Sequence, residues 1–253
     1  MTQRTRRTFL AEVGRGMLAC SVGYAAARDL GLTPAIAEES PAPLDFGSLE
    51  PLVRLMQDTP PDQLLPLLAE QLKNGTELRT LVAGAALANA RTFGGQDYVG
   101  YHTLMALAPA WHMSVQLATE QKPLPVFKVL YRNAGRIQEH GGHASERLHA
   151  VKLDSSDLDA ANGEQLRDAV RQKNMKLAEQ TFAKLAAKSP EQAFNELLIA
   201  VQEESEVHRI VLPYRAWDLL DIVGREHALT LLRQSVRYCV DNVSPKYRAN
   251  CRA

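Results

Sequence analysis

The stretch Tyr101-His102-Thr103-Leu104-Met105-Ala106-Leu107-Ala108-Pro109-Ala110-Trp111-His112-Met113-Ser114-Val115-Gln116 decides the fold class. It is the most apolar long segment after the N-terminus, yet it carries two histidines, a tyrosine, a tryptophan and a proline. A run this long and apolar belongs in a buried helix, and polar groups carried inside with it need partners. His102 and His112 are therefore either hydrogen-bonded core groups or ligands and catalysts.

The helical pattern continues on both sides. Upstream, Ser48–Asp58 and Pro60–Lys73 place apolar residues at three-four spacing, with Asn74-Gly75 as a stop. Thr76-Glu77 opens an Ala- and Leu-rich helix to about Thr92, and Gly94-Gly95 marks the turn before the quoted stretch, whose helix runs from Gln96 to about Ala118. Downstream, Pro123–Gln138 is amphipathic with a basic face of Lys128, Arg132 and Arg136. The pattern lapses into a polar loop from His140 to Asn162. It resumes from Gln165 to Ala187, with a break near Asn174. Ser189-Pro190-Glu191-Gln192 combines a capping serine, a proline at the first helical position and a glutamine three residues after the cap. Helices from there to Glu204, from Glu206 to Val223 and from Glu226 to Val240 complete the chain. No strand-period segment of useful length interrupts them. The expectation is an all-α single domain over residues 48–253, a compact multi-helix bundle. A HEAT-like helical stack is the alternative, but no fixed-period repeat supports it.

Residues 1–37 read as an address. Thr5-Arg6-Arg7-Thr8-Phe9-Leu10 matches the twin-arginine export signal, a weakly apolar region runs from Met17 to Ala27, and Ala35-Ile36-Ala37 is a small-x-small cleavage site. The expected partner during export is the twin-arginine translocase, and the expected location is periplasmic or otherwise extracytoplasmic. Residues 38–47, rich in Pro, Ala and Glu, read as a flexible lead-in.

The chain of 253 residues has 29 basic and 29 acidic side chains. The signal takes five basic (Arg4, Arg6, Arg7, Arg15, Arg28) and two acidic (Glu12, Asp29), so the 216 residues after it carry 24 against 27, about −3. Such a balance argues against a nucleic-acid partner. No segment after the signal reaches membrane-spanning length. In an oxidising compartment Cys239 and Cys251 would pair and close the C-terminal tail.

Three histidines stand out for chemistry. His102 and His112 are ten residues apart, about 80° around an ideal helix, with Pro109 between them to bend the axis. His208 repeats the combination, followed by Pro213, Tyr214, Trp217 and Asp218, with Glu204 expected one turn before it as an orienting carboxylate. Two such helices side by side would wall a pocket. The loop histidines His140, His143 and His149, and His227 at a helix start, read as structural. There is no Ser-His-Asp order, phosphate-binding glycine loop or zinc-protease helix.

Two segments, Tyr101-His102 through His112 and Val207-His208-Arg209-Ile210 through Trp217-Asp218 to His227 and Leu232-Arg233, resemble the questin oxidase-like family. That family includes fungal enzymes that open anthraquinone-type rings. The chain is also similar to twin-arginine-exported proteins of environmental bacteria. It is shorter than the fungal members and, unlike them, carries an export signal. The resemblance implies a helical oxidoreductase with pocket histidines, carried here onto His102, His112 and His208.

Two functions are therefore expected. In the first, the chain is an exported oxidoreductase or metal-binding enzyme for a small aromatic or quinone-like molecule, with His102, His112 and His208 as acid/base groups or ligands of a transition metal. In the second, it is a non-catalytic helical interaction protein, an accessory of an exported complex.

Overall fold

Why the chain folds around one helix follows from its most alanine-rich segment. The computed structural model describes residues 42–153 and 161–244. Within them the α-helices are α1 (Glu50–Asp58), α2 (Pro61–Lys73), α3 (Leu78–Phe93), α4 (Tyr98–Gln116), α5 (Pro123–His140), α6 (Gly163–Arg171), α7 (Met175–Lys188), α8 (Pro190–Val201), α9 (Val207–Val223) and α10 (Ala228–Asp241). Every residue of α3 from Leu81 to Phe93 is buried. Its alanines let neighbours approach from all sides, and a helix apolar all round belongs at the centre. Helices α1, α4, α5, α9 and α10 pack on it, while α10 also gathers α6, α7 and α8.

A helix near the start of the fold thus touches the last two. A stack in which each helix meets only its neighbours does not do that, so the architecture is a bundle. Among the described residues there is no strand, only an isolated antiparallel bridge between Pro43 and His149. No helix among them is long and apolar enough to cross a membrane.

The expected boundaries hold to within a few residues. Asn174 is the break between α6 and α7, its side chain accepting from Leu177 N at 3.0 Å, and Ser189 caps α8 by accepting from Gln192 N at 3.0 Å. Residues 1–37, expected above to be an export signal, residues 38–41 of the lead-in, residues 154–160 of the polar loop and Cys251 lie outside the described residues. Cys239 is a buried free thiol, pushed up to about 12 by burial.

The described part of the lead-in is pinned. Phe46 is in the core, and Ala150 N donates to Ala42 O at 2.8 Å. The anchor is Arg91 on α3, which has no exposed side-chain surface. Its Nη1 donates to Leu44 O (3.0 Å) and to Glu50 (2.8 Å), Nη2 to Gln57 Oε1 (2.6 Å), and Nε lies 2.9 Å from Glu146 Oε1. Gln57 passes the network on to Thr92 Oγ1 at 2.9 Å.

A second buried polar residue of α3 sets the rotation of α4. Asn89 Nδ2 donates to Gly100 O (2.7 Å), Thr103 Oγ1 (3.0 Å) and Asn133 Oδ1 (2.7 Å). Gly100 makes the approach possible, because a Cβ there would stand 2.5 Å from the Phe93 ring. Asp97 caps α4 by accepting from Gly100 N at 2.7 Å. Arg136, from the basic face of α5, holds that cap with bonds of 2.9 and 2.6 Å and keeps the Asp97 carboxyl below its usual range.

Replacing Arg91 by alanine leaves Glu50 and Glu146 facing an empty interior, and should lower unfolding stability by about 3–5 kcal/mol in urea titrations. Gly100→Ala should cost about 1–3 kcal/mol through the clash with Phe93. A loss below half a kcal/mol for Arg91→Ala would show that the clamp is not structural.

Candidate functional site

With Gly100 and Thr103 turned inward, His102 faces outward from α4 towards the start of α9. Its ring meets that of His208 edge to face, the centroids 5.1 Å apart. Both rings are half-buried. Three tyrosines surround them. Tyr101 stacks on His102 at 4.7 Å and lies 5.0 Å from His208, Tyr98 covers His102 at 4.4 Å, and Tyr238 on α10 lies 6.4 Å from His208. Tyr101 is only 4% exposed and Tyr98 65%, so the cluster runs from the core to the open surface.

The carboxylate that orients His208 is Glu206. Its Oε1 is 2.7 Å from His208 Nδ1, and it caps α9 by accepting from His208 N (3.1 Å) and Arg209 N (2.9 Å). Tyr238 donates its hydroxyl to Glu206 Oε2 at 3.0 Å. The Tyr101 ring packs edge-on against that of Tyr238, the centroids 5.7 Å apart. A hydrogen-bonded chain Tyr238–Glu206–His208 results, with the Tyr101 ring packed against both of its ends.

Burial alone would raise the Glu206 carboxyl. The donors outweigh it, and the net effect is a lowering from the ordinary value. Burial pushes Tyr101 up to about 12 and raises Tyr238 further, the latter also through its bond to Glu206. Both phenols are thus neutral donors across the physiological range.

His102 is tied by Nδ1 to the backbone carbonyl of Tyr98 at 2.6 Å. Since a carbonyl only accepts, Nδ1 carries the proton and Nε2 the lone pair in the neutral ring. The same logic applies to His208 and its carboxylate. Neither Nε2 has a hydrogen-bond partner among the described residues.

The expected trio is therefore a pair. His112 is exposed near the far end of α4, and no ring contact joins it to the others. Ten residues of helix carry it about 15 Å along the axis, and α4 continues through Pro109. The expected internal pocket is instead a half-open surface cluster. Glu204 does not orient His208, because α9 begins only at Val207 and leaves Glu204 ahead of the first turn. There it accepts from Ser244 N at 2.6 Å. Asp218 pairs with Arg215 at 3.2 Å. Glu206 and Tyr238 were missed in the sequence. The position of Glu206 as the last residue before an apolar helical run was the signal for a cap whose carboxylate also reaches the ring two residues on.

Of the four remaining histidines, His149 offers its backbone carbonyl to Arg233, and the other three have ring partners elsewhere. His143 pairs with Asp58, His140 sits edge-on to Phe93 at 5.2 Å, and His227 sits edge-on to Phe46 at 5.8 Å. Among the described residues no three His, Cys, Asp or Glu side chains gather as a metal-ligand set. Comparison of the chain with protein-family models, curated proteins and solved structures gave no match.

Because the folded Glu206 carboxyl lies below its ordinary 4.5, its contribution to stability is complete above that value and is lost as pH falls through the lower folded one. Denaturant titrations of Glu206→Gln and the parent protein should differ at pH 7 and converge towards pH 3. A pH-independent difference would mean that charge plays no part.

Proposed function

We propose that the chain is an exported helical enzyme, an oxidoreductase or metal-dependent catalyst, acting on a small planar quinone-like or phenolic molecule through His102 and His208. The observation that carries the reading is the pairing itself. Two imidazoles from different helices stand 5.1 Å apart with each Nδ1 held by an acceptor, so both rings are oriented and both Nε2 lone pairs remain for chemistry. Neutral imidazole can take a proton from a phenolic hydroxyl or bind a metal ion. The exposed Tyr98 ring beside the pair offers a stacking face to a planar substrate. The twin-arginine motif at Arg6-Arg7 supports a periplasmic location, and the resemblance of the two histidine segments to the questin oxidase-like family supports an aromatic substrate.

A second reading, an interaction surface, draws on α9. Val207, Ile210 and Tyr214 stand at helical spacing on one face of it and are all exposed, at 68%, 51% and 57%. In that reading the exported protein is an accessory of a larger complex and the aromatic cluster is part of the contact.

The two separate in solution. Titration with a naphthoquinone and its hydroquinone, followed through the imidazole proton resonances, should shift those of His102 and His208. Affinity should fall by at least about tenfold, or 1.4 kcal/mol, in His102→Ala and in His208→Ala, and hold in His112→Ala. Equal binding by all four proteins, or none by any, would overturn the enzyme reading. Ile210→Asp with Tyr214→Asp should spare that binding, whereas an accessory role predicts loss of assembly.

A further inference from the structure

From the same pair we infer a metal site: His102 Nε2 and His208 Nε2 together hold one first-row transition-metal ion, copper(II) or zinc(II), with its remaining coordination positions open to solvent and substrate. The inference rests on the reading of the two histidines as the reactive centre and names what that centre carries.

Three observations support it. First, the separation fits. Zinc sits about 2.0–2.1 Å from an imidazole nitrogen, so two rings sharing one ion at a tetrahedral angle have centroids about 5 Å apart. The observed distance is 5.1 Å. Second, each ring already has the outer partner that metal-bound histidines take. His208 Nδ1 is held by a carboxylate at 2.7 Å and His102 Nδ1 by a backbone carbonyl at 2.6 Å. Such bonds fix the tautomer that leaves Nε2 unprotonated and raise its basicity. Third, neither Nε2 atom has a hydrogen-bond partner among the described residues, and both rings reach the surface. Two protein ligands with open positions describe a site that binds reversibly and admits substrate. Imidazole suits copper and zinc, and soft thiolate-seeking ions have no donor here, since the Cys239 thiol is enclosed in the core.

Isothermal titration of chelator-stripped full-length protein with copper(II) and zinc(II) sulfate tests the site. One ion per chain is expected, and the copper(II) resonance spectrum should carry splitting from two imidazole nitrogens. His102→Ala and His208→Ala should each reduce that to one nitrogen and weaken binding by at least about 100-fold. Glu206→Gln should weaken it by about 10–100-fold through the outer partner alone. His112→Ala and His143→Ala should leave it unchanged. Should either alanine variant fail to fold by circular dichroism, His102→Gln and His208→Gln retain most of the side-chain volume and serve in its place. Binding that survives loss of both rings, or that disappears with His143, overturns the inference. Quinone binding by metal-free protein that takes up neither ion removes the metal and leaves the acid/base reading in place. Absence of both kinds of binding removes both.

Discussion

A helix buried on every side has to answer for each polar atom it carries inward, and that requirement organises this molecule. α3 brings Asn89, Arg91 and Thr92 into the interior. An unanswered guanidinium in such a place costs several kcal/mol, so Arg91 draws to itself a carboxylate from α1, a carboxylate from the loop after α5, a glutamine and a backbone carbonyl. The segment before α1 buries Phe46 and the segment after α5 buries Leu148, and Arg91 ties a carbonyl of the first and a carboxylate of the second to α3.

Asn89 does for the site what Arg91 does for the lead-in and the loop after α5. Its amide addresses Gly100 and Thr103 at once, which leaves a single rotation for α4. In that rotation Tyr101 goes in and His102 goes out. The start of α9 is fixed separately, by Glu206 at its cap and by Arg209, whose guanidinium donates to the last carbonyls of α8 at 3.1 and 2.6 Å. The two imidazoles therefore meet because two rigid elements are positioned from opposite sides. One carboxylate serves as helix cap, imidazole partner and phenol acceptor together.

How far the sequence went follows from the range of its signals. Helix existence, the break at Asn174 and the cap at Ser189 are local and were legible. So was the special character of the Tyr101–His112 stretch and of His208, since polar groups in apolar runs stand out. Their pairing requires the long-range contact of α4 with α9, which no spacing encodes, and His112 shares the apolar stretch of His102 without sharing that contact. Glu204 and Glu206 lie so near the start of α9 that a shift of a residue or two in the helix boundary changes which carboxylate reaches His208. Arg91 and Asn89 gave no warning at all. In sequence they are two polar letters in an alanine-rich helix, and only the burial of the whole helix turns them into organisers.

The covering of α3 has a consequence for how the chain comes to its final form. Its walls come from α1, α4 and α5 in the first half and from α9 and α10 at the end. While α9 and α10 are still unmade, one flank of the most alanine-rich helix stays wet, and no subset of the earlier helices can close it. Contacts of such wide sequence separation are slow to form and reward the chain only when nearly all of it is present. The core around α3 is therefore complete only when helices from both halves of the chain are in place. A chain that stops short of α9 accordingly leaves the core around α3 open.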